Sequence, residues 1–373
     1  MTSRFPDFAD DILAHFAARG TELVDVPVIQ PADPFLDMAG EDLRRRIFLT
    51  ESETGETLCL RPEFTIPVCR DHIANRAGTP RRYAYLGEVF RQRREGGAEF
   101  FQAGIEDLGS PDMAEADARS IADAHALIVR LLPGAAISVT LGDQRVFEAV
   151  LAALGLPRGW QKRRARAFGS PDMLKSALAD LADPPKKAPL PDHVAELVAA
   201  GDRAALSAHV AERMEEAGIS AHAGREPDEI AARLIEKSEL SSVRLAPDAL
   251  SALQTFLSIR VPLRQAGDSL RGFAGEAGIS LGAALEAFGR RARALSENGL
   301  PDNVLTYDAG FGRPLDYYTG LVFEISAPGE DRPLAGGGRY DRLLTLLGAA
   351  TPIPGVGFSV WLDRIAALRG DTA

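Results

Sequence analysis

The sequence predicts an α+β fold: an antiparallel sheet assembled from both ends of the chain, flanked by helices and interrupted by a helical insertion. Strand-like runs lie before about residue 160 and return after residue 300. Between them alanine, leucine and charged residues dominate, and β-branched runs nearly vanish. We therefore expect a sheet-containing core formed by residues 1–159 and 301–373, and a mainly helical insertion at 160–300.

The first elements alternate helix and strand. Residues 6–19 carry apolar side chains at helical spacing, and ELVDVPVIQP is a strand-like run. IFLTESETGETLCLRP predicts two strands around a turn. FTIPVCRDHIAN predicts a helix with Pro67 in its first turns, where proline is tolerated.

A long hairpin follows, in RYAYLGEVFRQRREGGAEFFQAGIEDLG. Its β-forming residues flank a Gly-Gly turn at Gly96 and Gly97. The pattern of residues 113–131 then predicts a helix. ISVTLGD predicts a strand, and QRVFEAVLAALG predicts a further helix.

After the insertion, strand chemistry returns in VLTYDAGFGRPLDYYTGLVFEISAPG. AGGGRYD lacks the spacing of a dinucleotide-binding loop and the lysine of a P-loop, so we interpret it as a tight turn. DRLLTLLG predicts a helix, and GVGFSVWLDRIAALRG a strand that runs into a helix.

The composition excludes several classes of protein. The net charge of -11 disfavours a broad nucleic-acid surface, which needs clustered basic residues. Cys59 and Cys69 form no CxxC motif and the six histidines are scattered, so we expect no disulfide framework, no metal site and no cofactor. No apolar run approaches the length of a membrane span, and the N-terminus lacks a signal-peptide core. We expect a cytoplasmic protein.

Polar residues concentrate in four otherwise strand-like segments. Buried charges are costly unless paired, so these residues must meet each other or a charged ligand. A ligand with an ammonium and a carboxylate would satisfy both signs. An internal salt-bridge network, or surface charges on an edge hairpin, explains the spacing equally well. The candidate binding residues are Glu63, Arg91, Gln102, Glu106, Arg313, Tyr317, Tyr318 and Tyr340.

These segments resemble the catalytic core of the histidyl-tRNA synthetases, which are class II aminoacyl-tRNA synthetases. LRPEFTIPVCR resembles the LRPE-G-T segment of that family, and the hairpin resembles its motif 2. RPLDYYTGLVFE and AGGGRYDRLL resemble the two histidine-specific segments, and GVGFSVWLDRI stands at motif 3. The resemblance implies a class II synthetase-like sheet and dimerisation through a motif 1 region around ELVDVPVIQP.

The resemblance also implies a complete binding site for L-histidine. It places Arg313 at the carboxylate side of the ligand, and Tyr318 and Tyr340 around the imidazole. It assigns the ligand amine and ring to Glu63, Gln102 and Glu106.

The ATP-binding pattern of the synthetases is not retained. Arg93 stands where motif 2 has a glutamate, and an arginine cannot accept the hydrogen bonds that a carboxylate would. Motif 3 reads WLDR instead of GLER, so that Trp361 replaces a small residue and Asp363 a glutamate, while Arg364 is retained. The sequence ends nine residues after Arg364, at Ala373, and we expect no anticodon-binding domain.

These departures resemble the non-catalytic relatives of the synthetases, the ATP phosphoribosyltransferase regulatory subunits. That family pairs with a short-form catalytic subunit in the first step of histidine biosynthesis, where histidine binding supplies feedback inhibition. The resemblance implies a homodimer within a larger hetero-oligomer, with no catalytic residue, no tRNA and no membrane. Because Arg91, Arg313 and Arg364 remain, two alternatives stay open: a divergent histidyl-tRNA synthetase and a synthetase-like amino-acid ligase, both of which need ATP.

Overall fold

A computed structural model describes residues 5–38, 40–93, 97–156, 168, 171–182, 190–219, 226–240, 245–313 and 315–370. Gly96 of the predicted turn, the predicted boundary at 159–160 and the C-terminal Ala373 lie outside the described residues. The strands are β1 (Glu22–Leu23), β2 (Ile29–Pro31), β3 (Leu49–Glu51), β4 (Thr57–Leu60), β5 (Arg81–Phe90), β6 (Glu99–Leu108), β7 (Ser138–Asp143), β8 (Arg260–Pro262), β9 (Leu305–Asp308), β10 (Leu321–Ser326), β11 (Ala335–Arg339) and β12 (Gly355–Trp361).

Helices surround these strands. They are α1 (Ala9–Ala18), α2 (Asp33–Met38), α3 (Gly40–Arg44), α4 (Thr65–Ala74), α5 (Met113–Leu131), α6 (Gln144–Ala153), α7 (Pro171–Ala182), α8 (Asp192–Ala200), α9 (Arg203–Glu216), α10 (Pro227–Leu240), α11 (Pro247–Leu257), α12 (Leu263–Glu276), α13 (Gly282–Glu297), α14 (Leu343–Leu346) and α15 (Leu362–Arg369).

One nine-stranded sheet organises the molecule, in the order β1-β5-β6-β12-β11-β10-β7-β9-β8. The hairpin β5–β6 pairs with β12, so strands from the two ends of the chain alternate within one sheet. The predicted α+β class and the assembly from both ends are confirmed. The β1–β5 and β7–β9 pairs are parallel, and the remaining pairs of this sheet are antiparallel. The sheet is therefore mixed, where the sequence predicted an antiparallel one.

A second sheet, β2-β4-β3, is tied to the large one through Arg61 at the end of β4. The Arg61 Nη2 and Nε donate to the carbonyl oxygen of Glu88 on β5, at 2.7 and 3.1 Å. Its guanidinium also lies 4.2 Å from the centroid of the Phe64 ring. These contacts hold the segment after β4 against the hairpin, and this segment carries Glu63.

The AGGGR segment is strand β11, between β10 and β12, so the prediction of a tight turn was wrong. Its glycines serve close packing. A Cβ at Gly337 would lie 2.2 Å from the carbonyl oxygen of Gly357, and one at Gly338 would lie 2.6 Å from that of Leu321. Local propensity disfavours glycine in a strand, but here only glycine leaves room for the neighbouring backbones.

We expect Gly337→Ala to destabilise the protein by about 1–3 kcal/mol, the usual cost of overpacking a filled interior. The obstructing Gly357 oxygen and Phe358 Cα belong to the backbone of β12, which cannot rotate away. Urea denaturation followed by circular dichroism measures the effect. Gly78→Ala is the matched control, because a Cβ there meets nothing within 4 Å. Equal stability of the two variants would contradict the packing argument.

Residues 160–300 are mainly helical where the structure describes them, with one exception. Strand β8 pairs with β9 at the edge of the large sheet. Phe273 on α12 and Phe288 on α13 belong to the main hydrophobic core, whereas α8, α9 and α10 contribute to a small cluster of their own. The division of the chain into core and insertion stays a prediction.

A buried ion-pair network joins α13 to the sheet. Asp117 on α5 accepts from Arg291 Nε at 2.6 Å and pairs with Arg339 Nη2 at 2.7 Å. Arg291 Nη1 also bonds Asp143 at the end of β7, and Arg339 Nη1 pairs with Asp341 at 2.7 Å. Each charge therefore has an opposite partner, which is the condition for burying it.

Candidate functional site

Glu106 on β6 lies at the centre of the candidate site, and only 1% of its surface is exposed. Thr65 Oγ1 donates a hydrogen bond to Glu106 Oε1 at 2.7 Å, and the Tyr340 hydroxyl donates to Oε2. A Cβ at Gly357 on the neighbouring strand would lie 1.8 Å from Glu106 Oε2. The carboxyl group thus occupies space that only a glycine on β12 leaves free.

Glu63 reaches the same place from the segment before α4. Its carboxylate accepts from the backbone N–H groups of Thr65 at 2.7 Å and Ile66 at 2.9 Å. It therefore caps the positive end of α4, an arrangement that favours an acidic side chain. Since Thr65 contacts both Glu63 and Glu106, the two carboxyl groups lie in one pocket.

Burial dominates the electrostatics of this pocket. Desolvation raises the pKa of Glu106 to about 8, although the hydrogen bonds from Tyr340 and Thr65 act in the opposite direction. It also raises the pKa of Glu63 against its backbone hydrogen bonds and the charge of Arg91. Burial lowers the pKa of Arg91 to about 10. A second cation entering the pocket would favour the ionised form of both carboxyl groups.

Gln102 lies on the same face of β6 as Glu106, since residues four apart on a strand share a face. Its side chain is buried, yet neither its amide nitrogen nor its amide oxygen has a hydrogen-bond partner among the described residues. An unsatisfied buried amide is costly, by about 1–3 kcal/mol. This amide is therefore suited to bind a polar ligand group.

Aromatic rings and an arginine complete the pocket. The Tyr317 ring centroid lies 5.1 Å from that of Tyr318 and 6.1 Å from that of Tyr340. Arg313 Nη1 donates to Glu324 Oε1 at 2.6 Å, while its Nε has no partner among the described residues. The Arg313 guanidinium fills the space that Gly336 leaves open on β11, where a Cβ would lie 2.0 Å from Nη1.

The structure thus brings together the residues that the sequence singled out. Arg91 Nε donates to the carbonyl oxygen of Pro62 at 2.6 Å, and its charge acts on Glu63. Sequence reasoning missed Thr65, which contacts both carboxyl groups, and Glu324, the partner of Arg313. Both could have been found in the sequence, because Thr65 lies in the LRPEFT segment and Glu324 ends the RPLDYYTGLVFE segment.

Residues of motifs 2 and 3, where the sequence departs from the synthetase pattern, form contacts within the protein beside this pocket. Arg93 Nη1 lies 2.9 Å from Asp363 Oδ2, and the Arg93 guanidinium lies 3.3 Å from the centroid of the Phe100 ring. Arg364 lies 4.4 Å from the Trp361 ring centroid and donates to the carbonyl oxygen of Pro333. Both arginines are thus engaged within the protein.

Two other kinds of feature are absent from the described part of the chain. No group of three His, Cys, Asp or Glu residues is arranged to hold a metal ion. None of the described helices combines the length and the apolar character needed to cross a membrane. Cys59 and Cys69 are both buried free thiols.

Comparison with known proteins finds a matching family model and several similar full-length proteins. A family model described as histidyl-tRNA synthetase matches residues 3–236 and 192–365. The ATP phosphoribosyltransferase regulatory subunit of Mesorhizobium japonicum is 70% identical over 369 residues, covering 99% of this chain and 99% of that protein. The protein of the same name from a Chelativorans species is 66% identical over 371 residues, covering 100% of both chains.

Solved structures agree on the fold. An ATP phosphoribosyltransferase regulatory subunit/histidyl-tRNA synthetase from Bacillus halodurans matches with a TM-score of 0.66 at 22% identity, covering 99% of this chain and 81% of that one. A histidine–tRNA ligase subunit from Alicyclobacillus acidocaldarius matches with a TM-score of 0.59 at 25% identity, covering 99% and 96%. By its full-length relatives and its fold, this chain belongs to the family of ATP phosphoribosyltransferase regulatory subunits, built on the histidyl-tRNA synthetase fold.

Proposed function

We propose that this chain is the regulatory subunit of an ATP phosphoribosyltransferase in the cytoplasm. It assembles with a short-form catalytic subunit, acts at the first step of histidine biosynthesis and binds L-histidine for feedback inhibition, without catalysing a reaction itself. One observation carries the proposal: a buried pocket with two carboxyl groups and an unsatisfied amide lies beside an engaged Arg93–Asp363 pair.

L-Histidine has the groups that this pocket lacks. Its ammonium suits Glu63 and Glu106, which share Thr65 as a hydrogen-bond donor. Its carboxylate suits Arg313, whose Nε is unpartnered within the described chain. The unsatisfied amide of Gln102 can then bind the amine or the imidazole. A pocket that hydrogen-bonds the imidazole rejects analogues without those atoms, because its own polar groups would stay unpaired.

Feedback requires histidine to bind the active and inhibited states of the complex with different affinity. A coupling free energy of about 1–3 kcal/mol corresponds to a 5- to 150-fold change in affinity. The direct test is to co-purify this chain with a short-form phosphoribosyltransferase and to assay the complex with and without histidine. A complex that forms and is inhibited by histidine supports the proposal; absence of a complex would overturn it.

The second candidate is a divergent histidyl-tRNA synthetase, favoured by the retained Arg91, Arg313 and Arg364. Arg364 is stacked on Trp361 and bound to a backbone carbonyl, and Arg93 is paired with Asp363. We therefore expect the purified protein to form no histidyl-adenylate. Adenylate formation from ATP and histidine would favour the synthetase, and a titration without ATP binding would remove both it and the amino-acid ligase.

The proposed homodimer has a candidate surface in the N-terminal strands. Leu23, Ile29 and Leu49, on β1, β2 and β3, are 58%, 57% and 55% exposed. Such side chains gain from burial against a second copy. Light scattering of the wild type and of Ile29→Glu tests the assignment: the variant should be monomeric, and an unchanged dimer would place the interface elsewhere.

Histidine binding is expected to release close to one proton at pH 7 and to tighten as the pH rises towards 8. Burial raises the pKa of Glu106 to about 8 in the free protein, so its carboxyl group is protonated at pH 7. An ammonium favours the carboxylate, and the proton leaves when the ligand binds. Below pH 8, each unit of decrease should weaken binding by up to about tenfold.

Titration calorimetry in buffers of different ionisation enthalpy measures the released proton. The other groups facing Glu106 do not reverse the sign: burial also raises the pKa of Glu63, and it holds those of Cys69, Tyr85 and Tyr340 well above their usual ranges. A binding enthalpy that is independent of the buffer would contradict the prediction.

A further inference from the structure

A groove of about 830 Å³ lies between α12 and α13, on the side of the loop that joins them. It shares no residue with the candidate histidine site, so the proposed ligand does not use it. Its apolar lining comes from Ala274, Ile279, Leu281 and Leu285. Ala274 and Leu281 also belong to the main hydrophobic core, so part of the groove lining is fixed by core packing.

The charged lining of this groove is mostly basic. Arg271, Arg290 and Arg293 line it, and Glu286 is the one acidic residue in the described part of the lining. Arg271 pairs with the exposed Asp268 at 2.5 Å. Arg290 and Arg293 are exposed and form no ion pair or hydrogen bond within the described residues. In a chain of net charge -11, this groove is a local site of attraction for an acidic partner.

Three glycines line the groove: Gly282 begins α13, and the other two lie inside helices, where glycine is less favourable than alanine. These are Gly275 on α12 and Gly289 on α13. A Cβ at Gly275 would meet nothing within 4 Å, and one at Gly289 would meet only Arg293 Nη1, at 3.9 Å. No contact within the described chain explains either glycine. Both leave the helix backbones open to approach from outside.

We propose that this groove docks an acidic segment of the phosphoribosyltransferase catalytic subunit. An apolar side chain of the segment lies on Ile279 and Leu285, which are partly exposed, and its carboxylates contact Arg290 and Arg293. Opposite charges across an interface set the association rate and the orientation of the partner, and the apolar contact supplies burial. The inference rests on the proposed function, because that function supplies the partner.

A substitution that fills the groove without destabilising the fold tests the proposal most directly. Gly289→Leu should raise helix propensity, place a side chain in the groove and weaken binding of the purified catalytic subunit by about tenfold or more. Gly272→Leu is the matched control: it lies on α12, a Cβ there meets nothing within 4 Å, and it does not line the groove. Thermal unfolding of both variants should occur at or above the wild-type temperature.

A second pair of variants tests the charges. The double variant Arg290→Glu, Arg293→Glu should bind the catalytic subunit more weakly, and its binding should depend less on salt. The double variant Arg264→Glu, Arg213→Glu is the control, because it changes the net charge by the same amount outside the groove. If the wild type binds the catalytic subunit and all four variant proteins bind as tightly, this inference is overturned and the proposed function stands. If the wild type does not bind, the proposed function fails, and the inference with it.

Discussion

Replacing Glu106 by glutamine is expected to remove histidine sensitivity from the assembled phosphoribosyltransferase. The carboxylate would face the ligand ammonium at a buried position, where removing one partner of a charge pair costs about 2–5 kcal/mol. At 1.4 kcal/mol for each factor of ten, the affinity for histidine should fall about thirtyfold or more. Inhibition curves of the complex and direct calorimetry on the free subunit measure the loss independently.

The fold should tolerate this change. Because burial raises the pKa of Glu106 from 4.5 to about 8, its contribution to stability is complete below pH 4.5 and is lost as the pH rises through 8. At pH 8 the ionised group therefore destabilises the free protein, and the Glu106→Gln variant should unfold at the same temperature as the wild type or at a higher one. Stability and ligand affinity should change independently in this variant.

Two further variants complete the experiment. Glu99→Gln makes the same charge change at an exposed position at the start of β6 and should bind histidine like the wild type. Arg313→Ala should also abolish inhibition, although it releases Glu324 from its ion pair as well. Unchanged inhibition in both Glu106→Gln and Arg313→Ala would show that histidine acts at another site.

The predictable part of the fold is the part encoded by local patterns. The hairpin β5–β6 follows from β-forming residues on both sides of the turn, and α5 from a long periodic helical pattern. β11 could not be predicted in this way, because the reason for its glycines lies in the backbones of β10 and β12. β8 is three residues long and contains a proline, so it carries almost no signal of its own.

The same division holds for the candidate site. Glu63, Gln102 and Glu106 are polar residues in strand-like surroundings, and that contrast could be read from the sequence. The pairing of Arg93 with Asp363 joins residues 270 positions apart, and no local pattern indicates it. In the sequence, Arg93 and Asp363 are two separate departures from the synthetase pattern. The structure has them as one ion pair, which explains how an arginine is accommodated in place of a glutamate.

Arg291→Met is expected to cause the largest loss of stability, about 3–5 kcal/mol, the usual cost of breaking a buried ion pair from one side. The Arg291 side chain is 6% exposed and contacts Asp117 and Asp143, whose side chains are 0% and 2% exposed. Its removal leaves Asp143 without its buried cation, and Asp117 with Arg339 alone. Urea denaturation should show a clearly lower midpoint.

The physical cause of that loss can be separated from the loss of packing. Asp143 Oδ1 accepts from the backbone N–H groups of Arg145 and Val146 at the start of α6, and an asparagine keeps that acceptor. Arg291→Met combined with Asp143→Asn should therefore be more stable than Arg291→Met alone, since one uncompensated charge is gone. Arg203→Met removes an exposed pair with Asp228 and should leave the midpoint unchanged. If the double variant is as unstable as the single one, the cost lies in packing and the electrostatic explanation is wrong.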